Sequence, residues 1–177
     1  HWIEFHNSGS LLSGTSDNTF NTTYSYNSSF TLSTGTWYHV AITYDGSNLK
    51  QYINGTQMFS ITGSNVTPNS NMLLADDPDE SITFAGSIDE VRLWTAARTQ
   101  AQIQASMHVD FVGNEGGFAA YYKMSNGSGT SLTDNSSNSN TGTLTNMVDG
   151  DWVTSYAPMG DLNSSYETDV ETIWSAS

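Results

Sequence analysis

The chain contains no cysteine, so disulfides, thiolate metal ligands and a thiol nucleophile are all excluded. Basic residues are almost as scarce: four Lys and Arg stand against eighteen Asp and Glu, a formal net charge of −14. A surface so poor in cations cannot neutralise phosphates, which excludes nucleic acid as a partner and disfavours anionic lipid. No apolar run approaches the ~20 residues of a membrane-spanning helix, so membrane insertion is not expected. Good helix formers are few, and no signal peptide is visible.

What remains is a chain of 177 residues, enough for one two-layer domain. Short runs rich in Val, Ile, Tyr, Phe and Trp are separated by Ser, Thr, Asn and Gly, which predicts an all-β class. The centre of the pattern is Trp37 to Gly55. There, two apolar runs are divided by Asp45-Gly46 and closed by Asn54-Gly55. Asp-Gly and Asn-Gly readily place two turn residues at positive φ, so Trp37–Tyr44, Leu49–Ile53 and Thr56–Ile61 are predicted as an antiparallel meander.

Strands are also predicted at Trp2–His6, Met72–Ala75, Ser87–Trp94 and Phe118–Met124, with shorter ones at Thr141–Thr145 and Trp152–Ser155. The polar stretch 13–29 holds one weak strand. Thr95–Met107 is the one helical segment, with Thr99 as N-cap and Ile103 and Met107 on one face. Residues 161–177 are acidic and without period, as in a tail or linker. The chain opens directly in strand-like residues, which suggests a piece of a longer protein. Its Ser-, Thr- and Asn-rich surface suits secretion.

Few residues carry chemistry. Asp76-Asp77-Pro78-Asp79-Glu80 is either a solvated acidic turn or a calcium loop. Asp134 to Gly142, with one carboxylate and several amides, is likewise either an Asn/Ser turn or a calcium loop. A glycan hydrolase needs converging carboxylates; Asp89 and Glu90 are adjacent, and neighbours on a strand point to opposite faces. His1, His6, His39 and His108 lack metal-ligand spacing except at the chain end, and His39 reads as a packed core residue. There is no Gly-x-Ser-x-Gly elbow.

The order of Thr36-Trp37-Tyr38-His39-Val40-Ala41-Ile42-Thr43-Tyr44-Asp45-Gly46, Tyr52-Ile53-Asn54-Gly55 and Gly86-Ser87-Ile88-Asp89-Glu90-Val91-Arg92-Leu93-Trp94, followed by a helix, resembles a laminin-G-like jelly roll of the concanavalin A-like lectin/glucanase superfamily. The resemblance implies an antiparallel two-sheet jelly-roll sandwich with one short surface helix. Residues 1–110 look like the middle and end of such a module. Residues 111–160, with Ala119 to Met124 and Asp134 to Gly142, look like the beginning of one. They are either a permuted completion of the first or part of the next repeat.

The resemblance further implies a structural Ca²⁺ held by Asp134, oxygens around Asn138 and Asn140, and Asp89. It implies a non-catalytic adhesion or carbohydrate-binding module of a larger secreted or cell-surface protein, with neighbouring modules of the parent chain and a glycan or surface partner as contacts. Exposed members of Tyr24, Tyr26, Tyr52 and Trp152 are the expected ligand-stacking residues, with Trp37 and Trp94 in the core. A purely structural repeat and a glycoside hydrolase are the alternatives.

Overall fold

The computed structural model describes residues 2–5, 11–16, 22–26, 30–62, 72, 74–77 and 82–160. The side chains at 2–26, 76–77 and 82–83 lie outside that description. Strands β1 (Trp2–Phe5), β2 (Leu11–Ser16) and β3 (Thr22–Tyr26) form one antiparallel sheet in that order. A second antiparallel sheet holds β4 (Val40–Tyr44), β5 (Asn48–Ile53) and β6 (Thr56–Thr62). β2 lies close to β5, and β3 to β6. Three antiparallel pairs complete the strands: β7 (Asp76–Asp77) with β8 (Ile82–Thr83), β9 (Val91–Trp94) with β10 (Phe118–Tyr122), and β11 (Ser131–Leu132) with β12 (Gly142–Thr143). Helix α1 (Gln100–Ser106) is the single α-helix among the described residues. The class is all-β and antiparallel, as the sequence predicts.

The predicted meander is present, but its two turns differ. Asn54 and Gly55 both have positive φ, 47° and 72°, and join Ile53 to its partner Thr56 as a tight primed turn. At the other end only Gly46 is at positive φ. Asp45 instead folds its carboxylate back, Oδ1 accepting from the N–H groups of Ser47 (3.0 Å) and Asn48 (2.7 Å). The side chain closes that turn, so the expected pair of left-handed residues is not needed.

Helix α1 begins as predicted, with Thr99 and Gln102 in a reciprocal capping box and Ile103 buried. It seats on the Asn54-Gly55 turn: Gln100 Nε2 and Gln104 Nε2 each donate to the Gly55 carbonyl at 3.0 Å. Gly55 has no room for a side chain, since an added Cβ would stand 2.7 Å from Gln104 Cγ.

Other boundaries move. Leu74 and Ala75 form a bend, not the expected strand, with Ala75 at φ 64°; the strand is Asp76–Asp77. Extended pairing before Trp94 starts only at Val91, because Glu90 sits at φ 53°. Trp152–Ser155 is not a strand; it follows a 3-10 turn at Asp149–Asp151.

β10 ties the two sequence segments together. It belongs to residues 111–160 yet pairs with β9 of residues 1–110, Tyr122 opposite Val91 and Phe118 opposite Trp94. A bulge between Phe118 and Ala120 resets the alternation. Ala120 and Tyr122 therefore pack with Leu132, Val91 and Leu93, whereas Phe118 and Tyr121 stack on each other, centroids 5.1 Å apart, beside Trp94 and Phe111. The expected tail at 161–177 lies outside the described residues.

Candidate functional site

The oxygen-rich loop after β11 runs beside β10. Asp134 is only 8% exposed. Its Oδ1 accepts from the N–H groups of Tyr121 (2.9 Å) and Ser136 (2.8 Å), and its Oδ2 from Ser136 Oγ (2.9 Å) and the Asn140 N–H (2.7 Å). Burial alone would raise its pKa, but the combined donors of Tyr121, Ser136 and Asn140 hold it below the ordinary carboxylate value. Asn138 Nδ2 donates to the carbonyls of Phe118 (2.8 Å) and Ala119 (3.2 Å), and Asn140 Nδ2 to that of Ala119 (2.9 Å).

Three of the four expected calcium ligands, Asp134, Asn138 and Asn140, are thus brought to one place. Asp89 is not. The strands are antiparallel, so Asp89 lies beyond the Tyr122 end of β10, while Asn138 and Asn140 attach at the Phe118 end. Asp89 accepts instead from the Glu90 N–H (2.9 Å) and from Ser155 Oγ. Burial pushes its pKa up against those bonds. Among the described residues no three Asp, Glu or His side chains converge as metal ligands. The donor set does not fit calcium in this geometry: the carboxylate oxygens already face N–H and O–H donors, and the amides present nitrogen rather than oxygen to the carbonyls.

A second cluster is ionic. Arg92, 7% exposed, pairs with Glu90, 14% exposed, through Nη2 at 2.6 Å. The same guanidinium donates to the carbonyls of Ser106 and Val109, each at 2.6 Å, and so caps the end of α1. It lies 4.8 Å over the Phe111 ring and 5.7 Å over that of Tyr121. The Tyr121 hydroxyl donates to Glu90 at 2.7 Å. Burial raises the Glu90 pKa against Arg92 and Tyr121, and burial with the Glu90 contact raises the Tyr121 phenol. The two adjacent carboxylates, Asp89 and Glu90, are therefore occupied by separate structural partners.

The aromatic candidates divide. Tyr52 is 3% exposed and belongs to the core, so it cannot stack on a ligand; β5 is the central strand of its sheet, and Gln51, Tyr52 and Ile53 are all buried. Trp152 packs against the Ala120, Tyr122 and Leu132 cluster, its Nε1 buried without a hydrogen-bond partner among the described residues. Tyr24 and Tyr26 stand two apart on β3, opposite Gly14 and Leu12, and their side chains lie outside the described residues. Sequence reasoning missed Tyr156, 60% exposed, with Val153 nearby at 66%. The segment that carries them is pinned to the body. Asp149 Oδ1 accepts from the Gly129 N–H (2.8 Å), Ser155 bonds Asp89, the Pro158 carbonyl lies 2.7 Å from His108 Nδ1, and the Gly160 N–H donates to the His108 carbonyl (2.7 Å). No periodicity marks such a segment, because its exposure is set by tertiary hydrogen bonds.

Comparison with known proteins gives a family and a fold. Residues 2–104 match the profile of the Concanavalin A-like lectin/glucanases superfamily. Pappalysin-1 of Mus musculus is 35% identical over 79 residues, and pappalysin-1 of Homo sapiens 32% identical over 80. Each match covers 41% of this chain, which spans about 5% of the length of those relatives. A candidate carbohydrate-binding protein from Bacteroides ovatus ATCC 8483, known from a crystal structure, aligns with TM-score 0.57 at 24% identity, over 77% of this chain and 42% of that one. That likeness shows the fold, the antiparallel β-sandwich anticipated from the sequence.

Proposed function

The chain belongs to the Concanavalin A-like lectin/glucanases superfamily, and from that premise we propose that it is a non-catalytic, extracellular carbohydrate-binding module of a larger protein. The observation that carries this reading is the pinned 148–160 segment, which holds Tyr156 60% exposed together with Val148 and Val153. An exposed tyrosine on a fixed backbone offers a flat apolar face to a pyranose ring at little entropic cost, and the surrounding hydroxyls and amides offer hydrogen bonds. Tyr24 and Tyr26 remain candidates for the same role. The net charge of −14 suits a neutral or cation-bridged glycan over an acidic one.

The non-catalytic reading is supported by the engagement of Glu90 with Arg92 and Tyr121, and of Asp89 with Ser155. Neither is left as a free acid or base facing a substrate. The Bacteroides ovatus neighbour, a candidate carbohydrate-binding protein, supports the choice of ligand class. That the chain matches about 5% of pappalysin-1 supports its being one module among several, the setting in which an extracellular adhesive role arises.

Screening the protein on an array of neutral plant, algal and animal glycans is expected to give a bound class, confirmed by calorimetry. Tyr156→Ala is then expected to weaken it about tenfold with an unchanged melting temperature, the usual size for loss of one stacking contact. Binding that survives Tyr156→Ala unaltered would move the site elsewhere. No binding to any glycan at millimolar concentration would leave the structural-repeat reading in its place.

A further inference from the structure

We infer that the 134–140 loop is a metal-free lock on the outer edge of β10, in which Asp134, Asn138 and Asn140 take over the pairing that a neighbouring strand would give. This does not depend on the carbohydrate reading. β10 has one edge on β9; on the other, an unpaired strand would present a row of backbone donors and acceptors, the template on which a foreign strand adds. Here both groups of Tyr121 and the carbonyls of Ala119 and Phe118 are already taken. Tyr121 turns both of its backbone groups to the loop: its N–H donates to Asp134 Oδ1 at 2.9 Å, and its carbonyl accepts from the Asn135 N–H at 2.7 Å. Two residues back, the Ala119 carbonyl accepts from Asn140 Nδ2 at 2.9 Å, and the Phe118 carbonyl from Asn138 Nδ2 at 2.8 Å.

The chemistry of these groups argues against an ion at the same place. A carboxylate with two donors on each oxygen has no lone-pair direction left for Ca²⁺, and Asp134 is in that state. The carbonyls of Phe118 and Ala119 converge on amide nitrogens, so the amides draw these oxygens together as a cation would. From outside, the segment after α1 presses on the loop. Gly113, at φ 107°, leaves no space for a Cβ, which would overlap the Asn135 carbonyl oxygen. Glu115 holds that segment in place by accepting from the N–H groups of Val112 (2.9 Å) and Gly113 (2.7 Å).

Amide exchange by NMR on the whole chain, in EDTA and then in millimolar calcium, tests both halves of the inference. The Tyr121 amide should be protected in EDTA, and calcium should change neither its exchange nor the melting temperature. Asp134→Ala should speed exchange at Tyr121 about tenfold or more, the equivalent of losing one charge-assisted hydrogen bond, while amides paired with β9 stay protected. If Asp134→Ala does not fold, Asn138→Ala, which removes the bonds to Phe118 and Ala119 and a longer one to Ser136 Oγ but leaves the Asp134 carboxylate in place, should show the same selective loosening to a smaller extent. Loosening of Tyr121 by EDTA with recovery in calcium would overturn the metal-free assignment. A Tyr121 amide that is unprotected in the unaltered protein, or insensitive to both variants, would overturn the lock.

Discussion

Arg92→Met is expected to lower the free energy of unfolding by about 3–5 kcal/mol, measured by urea denaturation, because it strands a buried carboxylate. Glu90 would keep only the Tyr121 hydroxyl. The carbonyls of Ser106 and Val109 would lose the guanidinium, Ser106 keeping only the Val109 N–H, and the Phe111 ring would lose its cation while Tyr121 keeps Lys123. A domain of this size has a total stability of about 5–15 kcal/mol, so the variant should lose a large share of it. Adding Glu90→Gln to Arg92→Met should recover part of the loss, since the uncompensated charge is then gone; the difference between single and double changes measures the coupling. A loss below about 1 kcal/mol in the single variant would mean that the pair behaves as a surface contact and not as a buried one.

The second large effect is with pH. His39 lies where burial, then the Arg92 guanidinium, then His108 disfavour its charged form, and its pKa falls to about 4. The unfolded chain takes up a proton at His39 near the ordinary value of about 6.5, before the folded one does. Stability from this residue is therefore complete above pH ~6.5 and is lost progressively down to pH ~4, by about 3 kcal/mol in total. Asp89 and Glu90 act in the opposite sense, because their raised folded-state pKa values favour proton uptake by the folded form as pH falls. Comparison with His39→Gln, similar in volume and never charged, separates the two. Melting temperatures of the parent and variant should converge in the direction of the variant as pH drops from 7 to 4.5. Parallel curves for the two proteins over that window would show that His39 titrates normally.

Much of the fold was legible because turn chemistry and alternation act locally. Asn54-Gly55 did what its residues allow, both at positive φ, and Thr99 with Gln102 capped α1. Asp45-Gly46 escaped prediction because a side chain competed with the backbone for the same donors. Tyr52 escaped prediction because alternation puts it on the side of Asn48 and Lys50, which are only half-buried, whereas Gln51, Tyr52 and Ile53 at the other end of β5 are all buried. Alternation with Val91 and Leu93 would turn Arg92 to solvent, yet its side chain is 7% exposed. One signal for burial was available: it is one of only four Lys and Arg in the chain, placed mid-strand in an aromatic-rich neighbourhood. The loop at Asp134 stands out in the sequence for its density of oxygen-bearing side chains. Its atoms could not be assigned, because a sequence does not say whether an asparagine offers nitrogen or oxygen to its neighbours.

The pairing of β9 with β10 bears on how the gene should be cut for expression. The superfamily match stops at residue 104, yet the strand that covers β9 spans Phe118–Tyr122. A clone ending at the homology boundary would discard that cover, wet the Val91 and Leu93 side of β9, and leave its backbone ladder bare along one side. Such a product is expected in inclusion bodies, whereas one carried through Gly160 keeps the hydrogen bond that fastens its last turn to His108.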